Sequence, residues 1–158
     1  MKIHEVLEMK SKDWLHLGGK LATAIVKDAD KGISQDGKGE KFPKYKKSYS
    51  DLKKAGKASP TGISDDRQVN PPNLRLTGTM LDSIKARNAT KESVEILFAD
   101  GLKVEGNARP PARLKKPRRN IYGLNEKNEK KIQEFIESKY DTKIKRFIAE
   151  IIEFDINV

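Results

Sequence analysis

Three features of the sequence predict an α+β fold in which a small antiparallel sheet of about four strands packs against an N-terminal helix and a long C-terminal helix. Apolar residues recur at spacings of three and four over Ser11 to Ala29. A second run, Leu124 to Ile152, has no Gly or Pro and carries isoleucines and a tyrosine every fourth residue. Between them, short segments of strand character flank the turn pair Asp100-Gly101. At 158 residues the chain fits one domain, 1–158, with enough surface to bury a core without disulfides or metals.

The first helix is set by Trp14, Leu17, Leu21 and Ile25, with Ala22, Val26 and Ala29 beside them. This is the stripe of a helix with one buried face. Gly18 and Gly19 interrupt it and predict a kink or a close helix contact, since each costs about 1 kcal/mol relative to alanine. Lys31 to Arg75 is an irregular basic loop region rich in Gly and Pro. Within it, Phe42, Tyr45, Tyr49 and Leu52 predict one short helical turn docked on the body, while residues 57–73 have almost nothing apolar to bury and predict a mobile excursion.

Thr77 can cap a short helix that places Leu76, Met80, Leu81 and Ile84 on one side. Strands are then expected at Ser83 to Asn88, Ser93 to Phe98, Leu102 to Glu105 and Arg118 to Tyr122. Val94 to Phe98 should be central because it is apolar on both faces. Asn125 predicts an N-cap for the last helix, with Glu126 and Glu129 at the positive end of its dipole. Ile132, Ile136, Tyr140, Ile144, Ile148 and Ile152 form its stripe, widened by Phe135, Phe147 and Ile151. That helix is expected to supply the core. A break near Ser138 to Asp141 is allowed, and the alternation of Phe154, Ile156 and Val158 predicts a final short strand.

The formal net charge of +10 is concentrated in two places. Lys41 to Lys57 holds seven lysines against Asp51, and Arg109 to Arg119 holds six cations and no acid, held extended by Pro110, Pro111 and Pro117. The rest of the chain is close to neutral. Charge clustered in this way implies contact with an acidic partner, either a protein surface or nucleic acid. The expected contact residues are Lys41, Lys44, Lys46 and Lys47 in the first segment, and Arg109, Arg113, Lys115, Lys116, Arg118 and Arg119 in the second.

No enzyme or cofactor signature emerges. The chain has no cysteine, which removes thiol chemistry and cysteine metal sites. Gly32 to Gly39 nearly spells a phosphate-binding loop, yet a helix precedes it and Gly39 stands where a hydroxyl residue should follow Lys38, so it predicts a flexible turn. His4 and His16 are too far apart for a helical metal pair, Asp65 and Asp66 lie in a Gly/Pro-rich loop, and Ser48, Ser50 and Ser59 have no nearby histidine. Asn88-Ala-Thr90 matches a glycosylation acceptor without a secretory context. No window is long and apolar enough to span a membrane, and the amino terminus lacks the apolar core of a signal peptide.

The order of these features resembles the tailed-phage virion morphogenesis proteins, the tail-completion or head-tail joining proteins of the kind found in phages HK97 and Mu. The resemblance runs from about Leu15 to Ile136. It is carried most specifically by Leu76-Thr-Gly-Thr-Met-Leu-Asp-Ser-Ile84 and Pro117-Arg-Arg-Asn-Ile-Tyr-Gly-Leu124. It implies a non-catalytic α+β subunit assembling as a homo-oligomeric ring between portal or adaptor and the tail-terminator or tail-tube proteins, made in the host cytoplasm and located in the virion. Non-specific contact with packaged DNA is a further implied partner. The alternative expectation is a basic protein that binds nucleic acid non-specifically, without a recognised reading motif.

Overall fold

The computed structural model describes residues 8–58, 68–74, 79–98, 107 and 118–156, with side chains described as far as 146. In chain order the elements are α1 (Ser11–Asp30), α2 (Lys47–Lys54), the single turn α3 (Thr79–Asp82), β1 (Ile84–Arg87), β2 (Glu95–Phe98) and α4 (Glu126–Ile156). The α+β class, the N-terminal helix and the long C-terminal helix agree with the sequence reading.

Helix α1 starts where the Asp13 carboxylate accepts from the Lys10 backbone N–H at 3.3 Å and ends on a left-handed Gly32, φ +70. Its expected stripe is the one buried: Leu17, Leu21, Ala22, Ile25 and Ala29 are all inside. Ala22, Ile25 and Ala29 join Phe42, Met80, Leu81, Ile84 and Ile121 in the central core, with Leu74, Ile96, Phe98, Tyr122 and Leu124 packed around it. Burying each large aliphatic side chain there stabilises the fold by about 2 kcal/mol.

Two strands, not four, are present among the described residues. β1 and β2 pair antiparallel with Ile84 opposite Phe98 and Ala86 opposite Ile96. Their connection is closed by Thr90, whose hydroxyl accepts from the Glu92 and Ser93 backbone N–H groups at 3.1 and 3.0 Å, so the Asn88-Ala-Thr90 triplet is turn structure. Ile96 and Phe98 face inward, and Leu97 on the other face is 39% exposed. The Asp100-Gly101 turn, its partner strand Leu102 to Glu105 and the Thr77 cap lie outside the described residues.

The expected strand at Arg118 to Tyr122 is not one. The Asn120 side chain takes the backbone groups that a ladder would use, donating to Tyr122 O at 3.1 Å and accepting from Tyr122 N at 3.0 Å.

Helix α4 runs unbroken through Ser138 to Asp141 and continues to Ile156, so neither the break nor a strand at Phe154 to Ile156 occurs. Asn125 caps it as expected, its Oδ1 accepting from Asn128 N at 3.0 Å, an interaction contributing about 1 kcal/mol. The helix does not supply the core. Among the described residues none of α4 enters the central cluster; it lies antiparallel along α1, with Lys139 bound to Asp13 at 2.9 Å and the Phe135 ring 5.9 Å from that of His16. Lys139 holds the Asp13 carboxyl below its usual range. α1 is therefore the middle layer, with the sheet on one side and α4 on the other.

A buried amide cluster joins the layers at one end. Asp28 Oδ2 accepts from Gln35 Nε2 at 3.2 Å, Asn125 Nδ2 at 3.1 Å and Asn128 Nδ2 at 2.9 Å. Gln35 Oε1 in turn accepts from Asn128 Nδ2 at 3.1 Å, and Glu126 N donates to Gly37 O at 2.8 Å. The stretch Gly32 to Gly39, expected to be a flexible turn, is a stitched loop that seats the start of α4.

The close contact expected at Gly18 and Gly19 is made by Gly18 alone, and with the sheet side instead of a helix. A Cβ on Gly18 would lie 2.7 Å from Val94 Cγ2 and 2.8 Å from Ala86 Cβ, whereas one on Gly19 would meet nothing within 4 Å. Gly18→Val is expected to destabilise the protein by about 1–3 kcal/mol through overpacking, and Gly19→Ala to stabilise it by up to about 1 kcal/mol. Urea unfolding of the two variants checks this, and equal effects would contradict the layer arrangement.

Candidate docking surface

The first basic segment leaves α1 through Gly32 and is pinned at once. Phe42 N donates to Gly32 O at 2.6 Å, Ile33 and Lys41 form an antiparallel bridge, and the Phe42 side chain enters the core. The next turn rests on Tyr45. Arg119 stacks over its ring at 4.5 Å and Lys53 Nζ sits 4.9 Å from the ring centroid, while Tyr49 packs at 5.1 Å.

Two cations are thus removed from solvent, and neither has a carboxylate paired with it among the described residues. Arg119 is 7% exposed and its Nη2 donates to the Pro43 and Lys44 carbonyls at 2.9 and 3.3 Å. Lys53, 1% exposed, donates to Asn73 Oδ1 at 2.7 Å, Asn73 O at 2.9 Å and Gln68 O at 3.0 Å. Tyr45 Oη donates to the same Asn73 carbonyl. Burial, then the nearby Arg119 charge, brings Lys53 down to about 8. Burial also lowers Arg119, and it pushes the Tyr45 hydroxyl up to about 12 against the pull of Arg119.

This cluster corrects two expectations. Arg119 is not a partner-facing contact: its guanidinium is an internal strut, because the Pro43 and Lys44 carbonyls and the Tyr45 ring need a planar cation to satisfy them. The far end of the 57–73 excursion is not loose either. Gln68 to Asn73 is anchored by Lys53, by a Val69–Pro72 bridge and by Gln68 donating to Asp30 O; residues 59–67 lie outside the described residues.

The remaining expected contacts divide cleanly. Lys41, Lys44, Lys46 and Lys47 are exposed and have no ion-pair partner among the described residues. Arg118 is exposed but already bound to Asp36 of its own chain at 3.1 Å, where Asn120 also donates at 2.7 Å. Arg109, Arg113, Lys115 and Lys116 lie outside the described residues, as do His4, Ser59, Asp65 and Asp66. Sequence reasoning missed the inward role of Lys53. The signal was the interleaving of lysines with Phe42, Tyr45 and Tyr49, which places some cations against rings and some against water.

Among the described residues no group of three His, Cys, Asp or Glu side chains is placed to hold a metal ion, and no helix is long and apolar enough to cross a membrane. What the surface can do is bind charge. Comparison with protein-family models, with curated proteins and with solved structures finds no match.

Two measurements test the cluster. Arg119→Ala is expected to destabilise the protein by about 2–3 kcal/mol, since it removes buried charged hydrogen bonds, whereas Arg118→Ala should change stability by under about 1 kcal/mol because its pair is exposed; chemical unfolding of both variants compares them. The Tyr45 pKa makes a second prediction, because the folded state keeps a proton up to about pH 12 that the unfolded chain releases near 10. The stability advantage of wild type over Tyr45→Phe should be full below about pH 10 and shrink as pH rises from about 10 to 12. An advantage that stays constant across that window would place Tyr45 in water.

Proposed function

We propose that this chain is a structural subunit of a tailed-phage head-tail junction, a tail-completion component that assembles as a ring between the portal adaptor and the tail. The observation that carries the docking part of this reading is the set Lys41, Lys44, Lys46 and Lys47. Four cations without an ion-pair partner among the described residues stand on a loop and the first residue of α2, over a base formed by Phe42, Tyr45, Lys53 and Arg119. Solubility alone does not require a charge-bearing loop to be fastened at so many points. A docking element does, because preorganisation lowers the entropy lost on association.

Two other features support the reading. The stretches that resemble head-tail joining proteins, Leu76 to Ile84 and Pro117 to Leu124, contribute core residues Met80, Leu81, Ile84 and Ile121 and the strut Arg119. The α4 stripe is also under-covered: Ile132, Ile136 and Tyr140 are half-buried and Ile144 is 43% exposed. A helix of this length, about 46 Å at ~1.5 Å per residue, offers neighbouring copies an apolar seam. With no catalytic constellation used in this reading, the activity is assembly.

The test is co-sedimentation of the full chain with the portal-adaptor and tail proteins encoded beside its gene. A complex is expected with wild type and is expected to be lost with Lys44→Glu, Lys46→Glu and Lys47→Glu combined, while unfolding free energy shifts by under about 1 kcal/mol. Neighbouring genes of no virion type, or a triple variant that assembles normally, would overturn the reading.

A further inference from the structure

A second basic surface lies outside both charged segments. Where α4 crosses back along α1, the two helices leave an open cleft of about 560 Å³ whose rims carry His16, Lys20, Lys27, Lys31, Lys127 and Lys131. The five lysines are exposed, and none has an ion-pair partner among the described residues. Lys20 rests against the Phe135 ring at 5.3 Å, and Lys131 Nζ donates to Asn128 Oδ1 at 3.1 Å. The carboxylate in the lining is Asp28, 8% exposed, with its Oδ2 held by three amides, so it forms floor rather than counter-charge at the rim.

The placement is costly for an isolated chain. Lys27 and Lys31 are four residues apart on α1, and Lys127 and Lys131 are four apart on α4, so each pair repels its own partner on one helix face. Antiparallel packing then brings the two rows to one cleft. Solvated surfaces ordinarily mix both signs. Here one sign is collected from two distant parts of the sequence.

We propose that this cleft binds the phosphate backbone of a nucleic acid without reading its sequence. Protein interfaces are anchored by aromatic and arginine residues; Tyr49, 36% exposed, stands beside the first lysine segment, whereas the lining of the cleft carries no tyrosine or tryptophan. The cleft has no arginine, and small residues such as Gly19 and Ala24 line it between the lysines. Lysines act as point charges suited to a row of phosphates. From Lys20 to Lys31 the α1 row runs about 16 Å, the axial rise of about five base pairs of a duplex at ~3.4 Å each. The inference stands on the cleft alone. It holds or fails whether or not the Lys41 to Lys47 loop docks on a virion protein.

Fluorescence anisotropy of the full chain with labelled random-sequence DNA of about 30 nucleotides, single-stranded and duplex, at about 50 to 200 mM salt, tests it. Lys27→Glu, Lys31→Glu and Lys127→Glu combined should weaken binding at least about tenfold and reduce the salt slope by about two to three. Lys44→Glu, Lys46→Glu and Lys47→Glu combined make the same change in net charge and should weaken binding distinctly less. If the cleft variant unfolds early in a thermal melt, the corresponding Lys→Gln triple replaces it, with the same direction expected. Unchanged binding in the cleft variant, or equal losses in the two triples, overturns the proposal. So does polyglutamate binding that the cleft substitutions abolish while DNA binding survives, since that result assigns the cleft to an acidic protein. A wild type that binds DNA in this way yet fails to co-sediment with portal and tail proteins would remove the connector reading and leave this one standing.

Discussion

Asp28 is a buried carboxylate in the last turn of α1 with no ion-pair partner among the described residues, and the rest of the architecture follows from how its charge is met. A negative side chain at the C-terminal end of its own helix is unfavourable with that helix's dipole. The protein resolves this by setting the N-terminal turn of α4 against it, where the field is favourable and Asn125 and Asn128 supply amide donors. Gln35 closes the cluster from the loop between. Because a half-satisfied buried network costs more than an apolar one, all four groups have to be in place together. That requirement holds the loop, the start of α4 and the end of α1 in one arrangement.

The same loop then leads into the exposed lysines of the first basic segment. Its lysines would be free to wander if only the Asp28 cluster held it, but Arg119 and Lys53 pin its second half through carbonyls and the Tyr45 ring. A cation inside a protein is tolerated when oxygen acceptors and an aromatic face replace water. Both are present here, and among the described residues no carboxylate pairs with either cation, so positive charge lies beneath a positive surface. The result is a rigid base whose field adds to that of Lys41, Lys44, Lys46 and Lys47.

Helix α4 is organised differently from α1. One side of its first turns is fixed by polar contacts and by Phe135 against α1, while its apolar stripe beyond is only half covered by the described chain. Its antiparallel course along α1 sets two lysine rows facing one cleft and leaves Ile144 at the surface.

Local sequence alone determined α1, the existence of α4 and the Asn125 cap, because a helix and its cap are encoded by residues within a few positions of each other; the unbroken run of α4 to Ile156 was not legible there. Composition alone placed Lys41, Lys44, Lys46 and Lys47 outside. The fate of Lys53 and Arg119 was decided only in three dimensions, since their acceptors, Asn73 and the Pro43 and Lys44 carbonyls, are distant in sequence and leave no local pattern. Arg118 and Arg119 are neighbours of the same chemistry, yet one lies in water on Asp36 and the other under Tyr45. The strand expected at Arg118 to Tyr122 was lost for a related reason: the Asn120 side chain satisfies the backbone first. What α4 packs against was likewise beyond any repeat of isoleucines, because a stripe states only that something apolar will cover it, and tertiary packing set it along α1 outside the central core.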